Sequence, residues 1–175
     1  MPKKIRPIRV EGNIAYIPLT NGYEAVIDAD DAHMVAAFNW YAAVTRRSDG
    51  SIRSVYAVRA GEGARCNGKT ILMHRVILGG PIGMSCDHRD GNGLNNRRDN
   101  LRAATPQQNS FNQRIGTNST TGVKGVGWHK AMGKWRADIM VDGKKHYLGC
   151  FDTVDDASTA YADASVRLHG EFGRM

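Results

Sequence analysis

The sequence predicts an α+β protein built from three segments. These are a small N-terminal α+β platform (1–60), a central strand–loop–strand–helix unit (61–116), and a C-terminal three-stranded antiparallel sheet packed on one helix (117–175). Three observations lead there. Short apolar runs recur between Gly- and Asn-rich turn signals, and 20 glycines in 175 residues supply many turns. In the middle, a polar stretch separates two short apolar runs and is followed by a strong helix start. Near the C-terminus, residues 153–169 carry an amphipathic helical pattern.

In the first segment, Ala15–Leu19 and Tyr23–Ile27 are strand candidates across Asn21-Gly22, a dipeptide suited to a tight hairpin. Asp28, Asp30 and Asp31 place negative charge where a helix N-terminus favours it, ahead of Ala32–Phe38. Trp40–Thr45 and Ser54–Val58 then pair across Ser48-Asp49-Gly50, with Trp40, Tyr41 and Tyr56 as core or sheet-face residues. No chemistry is evident in this segment.

After a turn at Asn67-Gly68, residues 71–78 pass from extended to helical and stop at Gly79-Gly80-Pro81. Ile71, Leu72, Val76 and Ile77 pack on one face while His74 and Arg75 point elsewhere. Met84–His88 and Leu101–Ala104 are short strands around a polar loop. Thr105-Pro106-Gln107-Gln108 starts a helix, with threonine as cap, proline at the first helical position and glutamine completing a capping box. Asn109 falls in its first or second turn, and Gly116 is its stop. A polar linker, residues 117–121, leads to strands Gly122–Trp128, Lys134–Val141 and Lys144–Phe151, with turns at Met132-Gly133 and Asp142-Gly143. Thr153 caps the last helix, and Asp155 and Asp156 favour its positive end. Ala157, Ala160, Tyr161, Ala164 and Leu168 line one helical face, and Gly170 ends it.

Net charge is +7, unevenly spread. Residues 61–115 hold eight Lys/Arg against four Asp/Glu, 116–150 hold six against two, and 151–175 hold two against five. Such an excess suits nucleic acid or another anionic surface. The three cysteines, Cys66, Cys86 and Cys150, include no C-x-x-C pair, which argues against a disulfide framework and a structural zinc site and for a reducing compartment. No run of eighteen apolar residues occurs, and Met1-Pro2-Lys3-Lys4 precedes no apolar signal core. A soluble, cytoplasmic protein is expected.

The chemistry concentrates in Cys86-Asp87-His88-Arg89-Asp90 and the loop to Asn100. A carboxylate, an amide oxygen and an imidazole converging on one point can hold a hard divalent cation and activate a water beside it. Arg89, Arg97, Arg98 and Arg102 suit a substrate made of phosphates. His88 follows Asp87 on a strand, so the two point to opposite sides unless the strand bends or ends there. Taken singly, each polar residue here is what a turn uses for backbone reasons, and Asn95 and Asn96 are read as turn formers. His74 is either part of a His-Arg run belonging to this site or a buried, hydrogen-bonded histidine, and it receives no catalytic role.

The order Asp87-His88, Asn100, Asn109, with spacings of twelve and nine residues from His88 onward, resembles the ββα-metal core of HNH endonucleases, in the subgroup with asparagine at the last position. The resemblance implies that His88 is the general base and that Asn100 orients the catalytic loop. It also implies that Asp87 and Asn109 are metal ligands. A carboxylate–amide–water shell favours Mg²⁺ or Mn²⁺ over Zn²⁺.

The C-terminal segment resembles the ethylene-response-factor (APETALA-type) DNA-binding domain over about sixty residues. The matching residues are Gly122-Val123-Lys124, Gly133-Lys134-Trp135, Ala137-Asp138-Ile139, Tyr147-Leu148-Gly149-Cys150-Phe151-Asp152-Thr153 and Leu168-His169-Gly170-Glu171-Phe172. The resemblance implies a sheet in the major groove backed by the helix, with Lys124, Trp128, Lys130, Lys134, Trp135, Arg136, Lys144, Lys145, His146 and Tyr147 as candidate DNA contacts. Trp128 and Trp135 serve equally as sheet packing. Lys124 stands where that family has arginine, Tyr147 where it has tryptophan, and Gly125-Val126-Gly127 lacks its arginines, so its target sequence is not implied.

The expectation is a homing-type, metal-dependent DNA endonuclease of phage or prophage origin. Its partner would be double-stranded DNA, its setting the host cytoplasm, and it would dimerise if both strands are cut. The alternative is a DNA-binding regulator or architectural protein with an inactive nuclease core.

Overall fold

The computed structural model describes residues 4–61, 69–80, 82–113, 115, 119 and 121–173. The turn at Asn67-Gly68, Cys66, the helix stop at Gly116 and most of the linker lie outside them. The fold is α+β, made of small antiparallel sheets and short helices, and the chain divides into two compact units, residues 1–105 and 106–175.

In the first unit, β1 (Arg9–Glu11), β2 (Ile14–Pro18) and β3 (Glu24–Asp28) form one sheet. The β2–β3 hairpin turns where the sequence placed it: Asn21 and Gly22 take φ of 59° and 74°, a left-handed conformation that Asn and Gly tolerate best. Strand β1, only three residues long, carries no sequence signal of its own. The first helix is shorter than expected, α1 (Ala32–Val35), preceded by a 3₁₀ turn over Ala29–Asp31. A second sheet holds β4 (Tyr41–Arg46), β5 (Ile52–Ala60) and β6 (Thr70–Leu72), and β6 runs directly into α2 (Met73–Leu78), which ends at Gly79 with φ 82°. The third is a two-stranded hairpin, β7 (Ser85–His88) against β8 (Leu101–Ala104), pairing Asp87 with Arg102 and His88 with Leu101.

One core joins these pieces. Ala15, Ile17, Ala25, Ile27 and Trp40 pack in the same cluster as Met73, Ile77 and Leu101, and the Trp40 indole donates to the Val35 carbonyl at 3.0 Å. Thus residues of the first sixty share a core with the hairpin that carries Asp87 and His88.

The second unit contains α3 (Pro106–Phe111), a sheet of β9 (Val126–His129), β10 (Lys134–Val141) and β11 (Lys144–Phe151) in the order β11-β10-β9, and α4 (Val154–His169). Thr153 caps α4 as the sequence indicated, its hydroxyl accepting from the Asp156 amide at 3.1 Å. Ala157, Tyr161 and Ala164 pack against Val126, Ala137 and Ile139, so small side chains let the helix lie close on the sheet. Among the described residues no helix is long and apolar enough to cross a membrane.

Candidate active site

The loop between β7 and β8 is held open by its own polar groups. The Arg89 amide donates to the Asn100 carbonyl at 2.9 Å, one step beyond the strand ladder, and the Gly91 amide turns back to the His88 carbonyl at 2.8 Å. The buried Asn100 side chain then closes the loop. Its Oδ1 accepts from the Asp90 amide at 3.0 Å, and its Nδ2 donates to Asp90 Oδ1 at 3.0 Å and to the Asn95 carbonyl at 2.7 Å. Burial works to raise the Asp90 pKa, but hydrogen bonds from Asn92, Asn95 and Asn100 outweigh it and hold the carboxylate ionised below its usual range.

His88 ends β7 and is buried, 5 % exposed. Among the described residues, Asn96, His74 and Tyr56 lie around its ring. Asn96 Oδ1 lies 3.3 Å from Nε2, the His74 ring meets it edge-on with centroids 5.0 Å apart, and the Tyr56 ring lies 5.8 Å away. Burial pushes the His88 pKa down, opposed by Asn96, Asp90 and Asp87, so the imidazole is neutral near pH 7. For His74 burial, reinforced by the neighbouring His88 and Arg75, lowers the pKa to about 3. His74 is buried as one reading expected, but its Nδ1 has no hydrogen-bond partner among the described residues.

Asp87 points away from His88, as strand alternation requires, and is 5 % exposed. Arg102, directly opposite on β8, places Nε 2.8 Å and Nη2 2.7 Å from Asp87 Oδ2. Arg102 was expected among the phosphate-contacting arginines. It is 8 % exposed and committed to Asp87, because an isolated buried carboxylate would be far more costly than a paired one. A carboxylate is also the donor type that a hard divalent cation takes. No cluster of three or more His, Cys, Asp or Glu residues suited to a metal occurs among the described residues.

Arg97 and Arg98 also have acidic partners. Arg97 Nε donates to Asp28 Oδ1 at 2.9 Å, the Arg98 amide to Asp28 Oδ2 at 2.8 Å, and the Arg98 guanidinium to both Asp31 oxygens at 2.7–3.1 Å. Burial works to raise the Asp28 pKa, but these two arginines outweigh it and lower it. The aspartates read as helix-start charge therefore serve as clamps on the loop. Arg89 is exposed.

In the second unit, Asn109 is half-buried on α3. Lys124 donates its ammonium to the carbonyls of Phe111 and, at 3.0 Å, Gln113, which caps the end of α3 rather than presenting the charge outward. Strand alternation and cross-strand pairing put Lys134, Arg136, Lys145 and Tyr147 on the sheet face opposite α4. Arg136 is held by Asp138 at 2.8 Å and lies 5.2 Å from the Tyr147 ring, and Lys134 pairs with Asp152 at 3.0 Å. Lys130, Lys144 and His146 are exposed around this sheet. Trp128 and Trp135 pair edge-to-face at 5.0 Å on the helix side, with Trp135 packed on the core, so packing describes Trp135 better than base contact.

Sequence reasoning missed Asn96, Tyr56, Asp28 and Asp31. Asn96 is fully buried, whereas its neighbour Asn95 is a loop residue bonded to Asp90, and nothing local in the sequence separates the two.

His88 and Asp87 are thus both buried at the end of β7, facing opposite sides of a hairpin whose loop is pinned by asparagines. Residues 72–111 match the HNH endonuclease family. Protein 3.8 of Escherichia phage T7 is 39% identical over 95 residues, covering 54% of this chain and 78% of that protein. An uncharacterised HNH endonuclease, L560, of Acanthamoeba polyphaga mimivirus is 34% identical over 102 residues, covering 57% of this chain and 52% of that protein, so the chain spans about half of its length. No solved structure gives a significant match. The chain belongs to the HNH endonuclease family, with phage and viral relatives.

Proposed function

We propose that this chain is a metal-dependent DNA endonuclease of homing type that hydrolyses phosphodiester bonds. The observation that supports it most is the buried His88 held at the end of β7 with Asp87 beside it in sequence and Asn100 closing the loop. His88 takes the proton of the attacking water, whose oxygen bonds to phosphorus as the bond to the leaving sugar oxygen breaks, and that oxygen takes a proton from solvent water. Asn100 keeps the loop and the base in place. Asp87 and Asn109, the positions the family pattern gives to ligands, would hold Mg²⁺ or Mn²⁺, and the ion would supply positive charge to the phosphate. The exposed Arg89 is positioned by sequence to meet a phosphate.

In this reading residues 61–116 carry the chemistry, residues 1–60 support them, and residues 117–175 read the duplex in the manner of an ethylene-response-factor domain, with Lys134, Arg136, Lys145 and Tyr147 on the DNA-facing side. One core per chain cuts one strand per engagement, so double-strand cleavage needs either a second copy or two sequential visits.

The test is cleavage of supercoiled plasmid with and without Mg²⁺ or Mn²⁺, beside His88→Ala. A metal-dependent cut weakened by about 10²–10⁴-fold in the variant, with DNA binding retained, supports the proposal. The Arg102 hold on Asp87 favours a second reading, a DNA-binding protein with an inactive core. Binding without any metal-dependent cut would select it.

A further inference from the structure

We propose that Asn96 is the positioning residue of His88, fixing the imidazole ring and its tautomer, and that strand β3 holds Asn96 for that task. The inference rests on the reading of His88 as the general base.

A fully buried amide has to satisfy both of its ends. Asn96 does so with Nδ2 donating to the Leu94 carbonyl at 3.1 Å, which fixes the orientation of the amide and turns Oδ1 toward His88 Nε2. An amide oxygen only accepts, so the Asn96 contact favours the tautomer that carries its proton on Nε2.

Asn96 is itself placed by the N-terminal sheet. Its backbone amide donates to the Val26 carbonyl at 2.7 Å, the Val26 amide donates to the Leu94 carbonyl at 2.8 Å, and Val26 and Asn95 form a parallel bridge. Asp28, at the end of the same strand, grips Arg97 and Arg98. On the other side Gly93 runs so close to β5 that a Cβ there would lie 2.4 Å from the Val55 carbonyl and 2.5 Å from the Tyr56 ring. Tyr56 in turn touches the His74 and His88 rings. The loop is therefore clamped between β3 and β5, and Asn96 carries that restraint to the imidazole.

The decisive measurement is a long-range ¹H–¹⁵N spectrum of the uniformly labelled full chain, without metal or DNA, at pH 8, with His88 assigned by comparison with His88→Gln. The wild-type signal is expected in the Nε2–H pattern. Asn96→Asp, which keeps an accepting oxygen, should retain that pattern, whereas Asn96→Ala should move it toward Nδ1–H. In cleavage assays Asn96→Ala should lose about 10–100-fold in kcat, the size seen for residues that orient a reacting group, with little change in KM. A wild-type Nδ1–H signal overturns the proposal without any variant being needed. So does an Asn96→Ala spectrum that matches wild type, or an Asn96→Asp spectrum that loses Nε2–H. If the protein cuts no DNA, the spectra still decide the Asn96 assignment, while the nuclease reading fails on its own.

Discussion

Asp87 and Arg102 face each other across the β7–β8 hairpin, both buried, with two guanidinium nitrogens within 2.8 Å of one carboxylate oxygen. Removing one member of such a pair strands the other charge, at a cost of about 3–5 kcal/mol. Arg102→Ala should therefore lower the unfolding free energy by about 3 kcal/mol in urea titration. A double variant, Arg102→Met with Asp87→Leu, should lose markedly less than the two single losses combined, and simple additivity would show that the pair is not coupled.

Stability should fall as acid reaches His74. Its folded pKa of about 3 lies below its ordinary value of 6.5, so protons favour the unfolded chain. The stabilising contribution is complete above pH 6.5 and is lost progressively toward pH 3. At roughly 1.4 kcal/mol per pKa unit it amounts to several kcal/mol at most. His74→Phe should flatten the unfolding free energy across that window, and an unchanged pH profile would contradict the assignment.

Metal dependence should distinguish the two proposed ligands. Asp87→Ala should move the Mn²⁺ midpoint for cleavage further than Asn109→Ala, because a carboxylate binds a hard cation more strongly than a neutral amide. Identical Mn²⁺ titrations for both variants and wild type would remove both residues from the ligand set.

The outer sheet face should carry the salt-dependent part of DNA binding. Reversing Lys134 and Lys145 together, Lys134→Glu with Lys145→Glu, should weaken binding to all duplex sequences. The slope of log K against log salt should become shallower by about two, at roughly 0.9 for each phosphate that is no longer neutralised. A slope equal to wild type would place the duplex elsewhere.

Local chemistry made much of the fold legible. Asn21-Gly22 and Asp142-Gly143 are turns because their backbones take positive φ readily, and Thr153 caps α4 for reasons contained within four residues. The hairpin carrying Asp87, His88 and Asn100 was legible for the same reason. What the sequence concealed depends on partners distant along the chain. Arg97, Arg98 and Arg102 look alike as cations, and only their neighbours reveal them as ion-pair partners of Asp28, Asp31 and Asp87. Asn95 and Asn96 are chemically identical neighbours, and their difference is created by β3, a strand far back along the chain.

The parallel bridge from Val26 to Asn95 also bears on the order of events during folding. The contacts between Asp28 and Arg98 close a segment of 70 residues, and an encounter that distant carries a larger entropic barrier than any hairpin in the chain. On the ribosome, β3 emerges long before its partner, so its exposed edge waits for the loop to be synthesised. The surroundings of His88 are thus among the last parts of the unit to form, and a nascent or partly folded chain holds neither His88 nor Asn96 in its final setting.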